Sequence, residues 1–158
     1  MHIVDRKIKP DFEFSISNEK YESLPNYHLK TGDIIMGRRG EMGRCGLITE
    51  EENGWFCGTG NLFIRPRKDL NPVYILYVLS GENAVKYLEN EAIGITMKNL
   101  NKKIIQNIKF GLPPIELQND FAGIIKHIET QKQLACQSLQ KSEELFQSLL
   151  QRAFRPAN

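Results

Sequence analysis

The chain has 158 residues, 41% of them hydrophobic and 25% charged, with a net charge of +2. That leaves room for one ordinary domain, or for a smaller domain with an extended appendage, in a composition that folds rather than stays disordered. It excludes a uniformly polycationic nucleic-acid binder, so any such role must rest on where the charges sit.

Taken in chain order, the first segments read mainly as strands. FEFSI at 12–16 alternates weakly, and DIIMG at 33–37 is a short apolar run ending in glycine. CGLIT at 45–49 and NLFIRP at 61–66 are further strand candidates, separated by the polar turn EEENG and a strand-like start at Trp55 and Phe56. Asn71-Pro72 opens a helix well, because asparagine caps and proline tolerates the first turn. That helix breaks at Gly81 and a second short helix follows. IIQNIKF at 104–110 reads as a closing strand, and GLPP ends it, since neither proline supplies an amide hydrogen. The fold class expected is α+β: a strand-rich globular part over 1–112 and a helical region over 115–154.

The tail is the more regular part. Phe121, Ile125, Ile128, Lys132, Ala135, Leu139, Ser142, Phe146, Leu149 and Ala153 follow alternating steps of four and three, the seam spacing of a coiled coil. Lys132 and Ser142 interrupt the seam and would fix its register. A helix over 117–153 would be roughly 55 Å long at 1.5 Å per residue. Such an apolar stripe needs cover, from another chain or a second copy of this one; two shorter helices folding back are the alternative.

The stretch GDIIMGRRGEMGRCGLI, Gly32 to Ile48, carries five glycines and three arginines. A phosphate loop needs a lysine and a hydroxyl after its last glycine, and here Arg44 and Cys45 stand there. The spacing of Gly37, Gly40, Gly43 and Gly46 also departs from GxGxxG. Glycine every third residue predicts repeated tight bends at positive φ. Arg38, Arg39 and Arg44 lie between them, and arginine pairs with phosphate and with the major-groove edge of guanine. Arg65, Arg67 and Lys68 form a second basic cluster, and Lys98, Lys102 and Lys103 a third. By themselves these residues leave two readings open, a localised nucleic-acid face or a glycine-rich turn with solvated charges.

Cys45, Cys57 and Cys136 lack zinc-like spacing, and His2, His28 and His127 stand in unlike contexts, so neither a metal site nor a catalytic set is expected. PDFEF at 10–14 faintly resembles the acidic start of a nuclease site, but Glu19-Lys20 is too loose a second half. No serine sits in a nucleophile elbow. The N-terminus lacks an apolar signal core and no window approaches 18 apolar residues, so a cytoplasmic chain without membrane contact is expected.

Four segments in order resemble the target recognition domain of type I restriction-modification specificity subunits. LKTGDIIMGRRGEMGRCGLI looks like its signature segment and GTGNLFIRP at 58–66 like the strand that follows. ITMKNLNKKIIQNIKFGLPPIELQNDFAGII at 95–125 looks like the closing segment with its proline pair, and SEELFQSLLQRAF at 142–154 like the end of the spacer helix. The resemblance implies a non-catalytic subunit that reads one half of a bipartite duplex DNA target, with base contacts set among phosphate contacts. It implies adenine-specific methyltransferase subunits and motor-nuclease subunits as partners, which would bring S-adenosylmethionine, ATP and Mg; none is expected in this chain. It places Gly32, Asp33, Arg38, Gly40 and Gly43 on the signature loop, and Pro113, Pro114 and Gln118 at the domain-to-helix junction. A full member carries two recognition domains and two long helices. One of each here implies a half-subunit that pairs with another specificity chain, or a truncated form whose opening strands are missing. The alternative is a coiled-coil adaptor that binds only protein.

Overall fold

The computed structural model describes residues 2–10, 13, 15–91, 100 and 102–154. The chain divides into two compact units, Met1–Asn119 and Asp120–Asn158. The fold is α+β, as the sequence predicts.

The first unit is organised around one strand. β3 (Ile34–Gly37) lies between β4 (Cys45–Leu47) and β5 (Asn61–Ile64) in a three-stranded antiparallel sheet. All four residues of β3 are buried. Successive side chains of a strand point to opposite faces, and β3 uses both. Ile34 and Met36 join Met42, Cys45, Ile75, Leu76, Leu79 and Leu88 in the larger core. Ile35 joins Ile3, Leu29, Ile48 and Cys57 in the smaller one. Each such large apolar side chain contributes roughly 1.5–3 kcal/mol on burial.

The helices of the larger core are α2 (Pro72–Leu79) and α3 (Glu82–Glu91), with the short α4 (Lys102–Gln106) packed against α3. Asn71 caps α2 as expected: its Oδ1 accepts from Val73 N at 2.9 Å and Tyr74 N at 3.3 Å. α4 corrects the strand expected at 104–110. Ile104 is buried within α4, which ends at Gln106, and the chain runs on to the buried Ile108 through bonds from Asn107 N to Ile104 O and from Ile108 N to Ile105 O, both 3.2 Å. A strand that buried both would turn the residue midway between them to the same face, and Gln106 is exposed.

A second departure lies at the front. β1 (His2–Val4) and β2 (Lys7–Lys9) form a two-stranded hairpin that lacks the usual turn signal. Its turn residues are Asp5 and Arg6, at φ 49° and 61°, where Asn-Gly is the common choice. Left-handed conformations cost such residues on the order of 1 kcal/mol each. Tertiary contacts offset this. The Arg6 guanidinium lies 4.3 Å from the Tyr77 ring centroid and its Nε donates to Ser80 Oγ at 2.9 Å. Ile3 and Ile8 close over Gly46, where a Cβ would meet Ile8 Cγ1 at 3.0 Å. The strand expected at 12–16 is absent at residues 13, 15 and 16, and Phe12 and Phe14 lie outside the described residues. The short α1 (Asn18–Glu22) follows instead, capped by Ser17. Phe56 makes only an isolated bridge with His28.

The glycine-rich segment is the hairpin between β3 and β4. Gly40 and Gly43 have φ of +81° and +73°, while Gly37 and Gly46 lie in the strands without positive φ. The expectation of a tight bend at every glycine therefore holds at two of these four positions. At Gly37 a Cβ would meet the far end of the exposed Arg44 side chain at 3.3 Å, which can move aside. At Gly43 both positive φ and space demand glycine, because a Cβ there would overlap a Val85 methyl of α3.

At the end of this unit Gln118, 1% exposed, joins three parts of the chain. Its Nε2 donates to Pro113 O at 2.8 Å and its Oε1 accepts from Asn71 N at 2.9 Å. The first turn of α5 (Ile115–Ala153) is thereby tied to the cap of α2. The second unit holds the rest of α5, one unbroken helix through Gly123, as the seam spacing predicts. Ile128, Leu139, Phe146 and Leu149 of the seam are exposed, and Leu134 and Leu145 widen the apolar stripe on one flank.

The two positive-φ glycines of the loop should differ in a way urea unfolding can measure. Gly40→Ala faces open space and should cost about 1 kcal/mol of backbone strain. Gly43→Ala carries the same strain plus the clash with Val85, and should cost more, about 2–4 kcal/mol. Equal losses would show that α3 does not depend on close approach at Gly43.

Candidate nucleic-acid interface

The sequence-predicted cations fall into distinct settings. Arg65, just past the end of β5, is drawn inward. Its Nε and Nη2 donate to the two oxygens of Asp33 at 2.7 and 2.6 Å, and Nη2 also reaches His28 O at 3.2 Å. Asp33 is 1% exposed and additionally accepts from Lys30 N at 2.8 Å. The hydrogen bonds to Asp33 raise the Arg65 guanidinium further above its ordinary pKa. Asp33 closes a four-residue turn by donating its own N to Lys30 O at 2.9 Å. Gly32 holds the third position of that turn at φ +87°, where glycine is favoured. The signature residues Gly32 and Asp33 thus shape the entry to β3.

Arg67 pairs with Asp69 at the surface, at 2.7 Å. Arg39, Arg44, Lys68 and Lys102 are exposed, without an acidic partner for their side chains among the described residues. Lys98 lies outside the described residues.

Arg38 is half-buried and tightly woven. Its N donates to Gly60 O at 3.1 Å, its O accepts from Leu100 N at 3.0 Å, and its Nε donates to Leu100 O at 3.1 Å. It lines a cleft of about 530 Å³ between β5 and α4. Leu62, Ile64, Leu100 and Ile105 make an apolar lining, Phe63 and Gln106 complete it, and Arg38, Arg65 and Lys102 supply the charge. Among the described residues no acidic side chain lines this cleft. The structure thus brings together one member of each basic cluster. Arg44 is elsewhere, in a depression that it shares with Arg6, Asp5, Glu41 and Glu89. There the acids offset its field.

Sequence reasoning missed an aromatic group beside Arg65. Tyr21 stacks on His28 with ring centroids 3.7 Å apart, and Phe56 and Tyr27 extend the group. Tyr21 is held by its hydroxyl, which donates to Gly54 O at 2.7 Å. No periodic signal links residues 21, 28 and 56. Among the described residues no group of three or more His, Cys, Asp or Glu is placed to hold a metal ion. Among them, too, no helix is long and apolar enough to cross a membrane.

The strand-rich unit, its glycine hairpin and the helix that follows define a class. The sequence pattern of the type I restriction modification DNA specificity domain matches residues 2–144, and the chain belongs to that family. It is 26% identical over 121 residues to the MjaX type I restriction enzyme specificity subunit of Methanocaldococcus jannaschii, covering 72% of this chain and 28% of that protein. It is 26% identical over 98 residues to the MjaVIII specificity subunit of the same organism, covering 62% of this chain and 19% of that one. Its fold is similar to that of the HsdS subunit from Thermoanaerobacter tengcongensis, with TM-score 0.51, 18% identity, and 83% and 35% of the two chains covered. A chain from a structural study of complex assembly and conformational transition in the type I R-M system gives TM-score 0.58 at 16% identity, covering 83% of this chain and 36% of that one. The chain spans between about a fifth and just over a third of the length of these relatives.

The environments of Arg65 and of the three thiols can be tested on the native chain. Breaking a buried ion pair costs about 3–5 kcal/mol, and the half-exposed Arg65 end lowers that, so Arg65→Ala should lose about 2–3 kcal/mol in chemical denaturation. A loss below about 1 kcal/mol, the ordinary worth of a surface pair, would mean that Asp33 finds other partners. Burial pushes the Cys45 thiol up to about 12 and the Cys57 thiol up to about 11. Both remain protonated at around pH 8, near the ordinary thiol pKa, whereas Cys136 is exposed. Alkylation of the native chain at that pH, read by peptide mass, should modify Cys136 and spare the other two; equal labelling would contradict the buried environments.

Proposed function

We propose that this chain is a sequence-recognition module for duplex DNA, reading one half of a bipartite target and directing methyltransferase and restriction subunits to it. The family match over residues 2–144 carries this reading. The cleft supports it: Arg38 and Lys102 line it without an acidic partner among the described residues, while Arg65 beside them is paired with Asp33, so the potential of the cleft favours a polyanion despite a net charge of only +2. The chain supplies sequence choice. S-adenosylmethionine, ATP and Mg belong to the partner subunits in this reading, and so does extrusion of the target base.

The exposed stripe of α5 supplies the pairing surface. Ile128, Leu139, Phe146 and Leu149 fall on the seam of three and four, and burying them against a like helix would remove several apolar side chains from water. A second copy, or another specificity chain, would then provide the other half-site reader. A two-fold pair would select a symmetric bipartite target.

Light scattering tests the pairing directly. The chain should run at twice its mass, and the double variant Leu139→Glu/Phe146→Glu should return it to monomer mass, because two seam positions would bury unpaired charge. A mass unchanged by the double variant would remove the helix-pairing half of the proposal. Binding of DNA that survives loss of Arg38, Arg39 and Arg44 together would favour the adaptor reading instead.

A further inference from the structure

Sequence alone does not sort the basic residues into those that read bases and those that hold phosphates. The structure separates them by what each guanidinium is already bonded to. Arg65 has both Nε and Nη2 on Asp33, and Arg67 has both Nε and Nη2 on Asp69. Their forks are occupied. Arg38 commits only Nε, to Leu100 O, and its backbone is held on both sides by Gly60 and Leu100. Its terminal nitrogens make no other bond among the described residues.

Resting on the DNA-recognition reading above, we propose that Arg38 is the specificity-determining residue of this half-site reader. Its terminal nitrogens donate to the paired acceptors of a guanine edge in the major groove, while exposed Arg39 and Lys102 hold the flanking phosphates. Three features direct the fork to a base. Two hydrogen bonds hold the Arg38 backbone and one, from Nε to Leu100 O, restrains its side chain, so the fork loses less entropy on contact than an unbonded arginine would. The cleft beside it has no acidic side chain among the described residues, so no carboxylate competes with a base edge for the free nitrogens. Gly40, two residues on, has open space where a Cβ would stand, so the turn offers little obstruction to an approaching groove. Arg39 and Lys102 are exposed and carry no such pinning, the setting of contacts that neutralise charge without selecting sequence.

The experiment is selection of the full chain on a randomised duplex library, followed by binding titrations on the selected sequence over a range of salt. The wild-type chain should enrich a guanine at one position, and 7-deazaguanine there, which lacks the N7 acceptor, should weaken binding by about tenfold. Arg38→Ala should lose that preference and become indifferent to the 7-deaza base. Arg38→Lys keeps the charge but not the planar fork, so it should keep non-selective affinity and weaken the guanine preference; it also serves if removal of the side chain unfolds the protein. Arg39→Ala and Lys102→Ala should weaken all sequences alike and lower the salt slope by about one. If Arg38→Lys retains the full guanine preference, or if Arg38→Ala behaves as Arg39→Ala does, the assignment is overturned while the DNA-recognition reading stands. If the wild-type chain enriches no sequence, both fall together.

Discussion

Asp33 places a carboxylate, 1% exposed, at the head of the strand that both cores share, and Arg65 closes on it with two hydrogen bonds of 2.6 and 2.7 Å. Taking a carboxylate out of water costs several kcal/mol, and only close, well-aligned donors offset it. Here they come from two places in the chain, the Arg65 guanidinium and the Lys30 amide. The pair therefore fixes the entry of β3 to the exit of β5. Because β4 and β5 both hydrogen-bond to β3, this contact reinforces from one end the register that places the hairpin turn and the cleft wall. The same bonds withdraw Arg65 from any second task at Nε and Nη2.

The parts of the fold that are legible in the sequence are those whose signal is local. A cap and a proline start α2, a glycine breaks it from α3, and a step of three and four runs the length of α5. The three strands of the central sheet announce themselves as short apolar runs. The parts that are not legible depend on distant residues. The β1–β2 turn uses Asp5 and Arg6 where a hairpin normally advertises Asn-Gly, and what stabilises it is Tyr77 and Ser80, the latter 74 positions from Arg6 along the chain. IIQNIKF reads as a strand because three β-branched isoleucines and a phenylalanine stand out in it. Instead it is helical as far as Gln106, and Ile104 and Ile108 are inside with Gln106 outside, which breaks the alternation of a strand; tertiary packing outweighs the weak propensity.

The candidate site shows the same division. Its residue types are visible in the sequence, since Arg38, Arg65 and Lys102 all lie in the basic clusters. Their roles are not, because a role is set by a partner. Arg65 and Arg38 look alike in the sequence, yet the first meets a carboxylate 32 positions away and the second a backbone carbonyl 62 positions away. The glycines mislead in a related way. A common residue type at a common spacing suggests a common cause, whereas a Cβ at Gly43 would meet a helix, at Gly37 the movable end of an arginine and at Gly40 nothing within 4 Å.

The support of the fold and the candidate reading surface meet at Arg65 and Leu100, which line the cleft and also hold the structure, but most of their side chains differ. Asp33, Gly43 and Gln118 are buried among contacts inside the protein, so change there costs stability. Lys102, Ile105 and Gln106 line the cleft from α4, a helix of five residues whose one buried side chain is Ile104. Substitution of the outward residues of so short an element alters what the cleft presents without touching the ion pair or the hairpin. A scaffold built in this way can exchange the chemistry of its cleft while its strands keep their register, because the groups that fix the register are buried and those that meet an approaching partner are not.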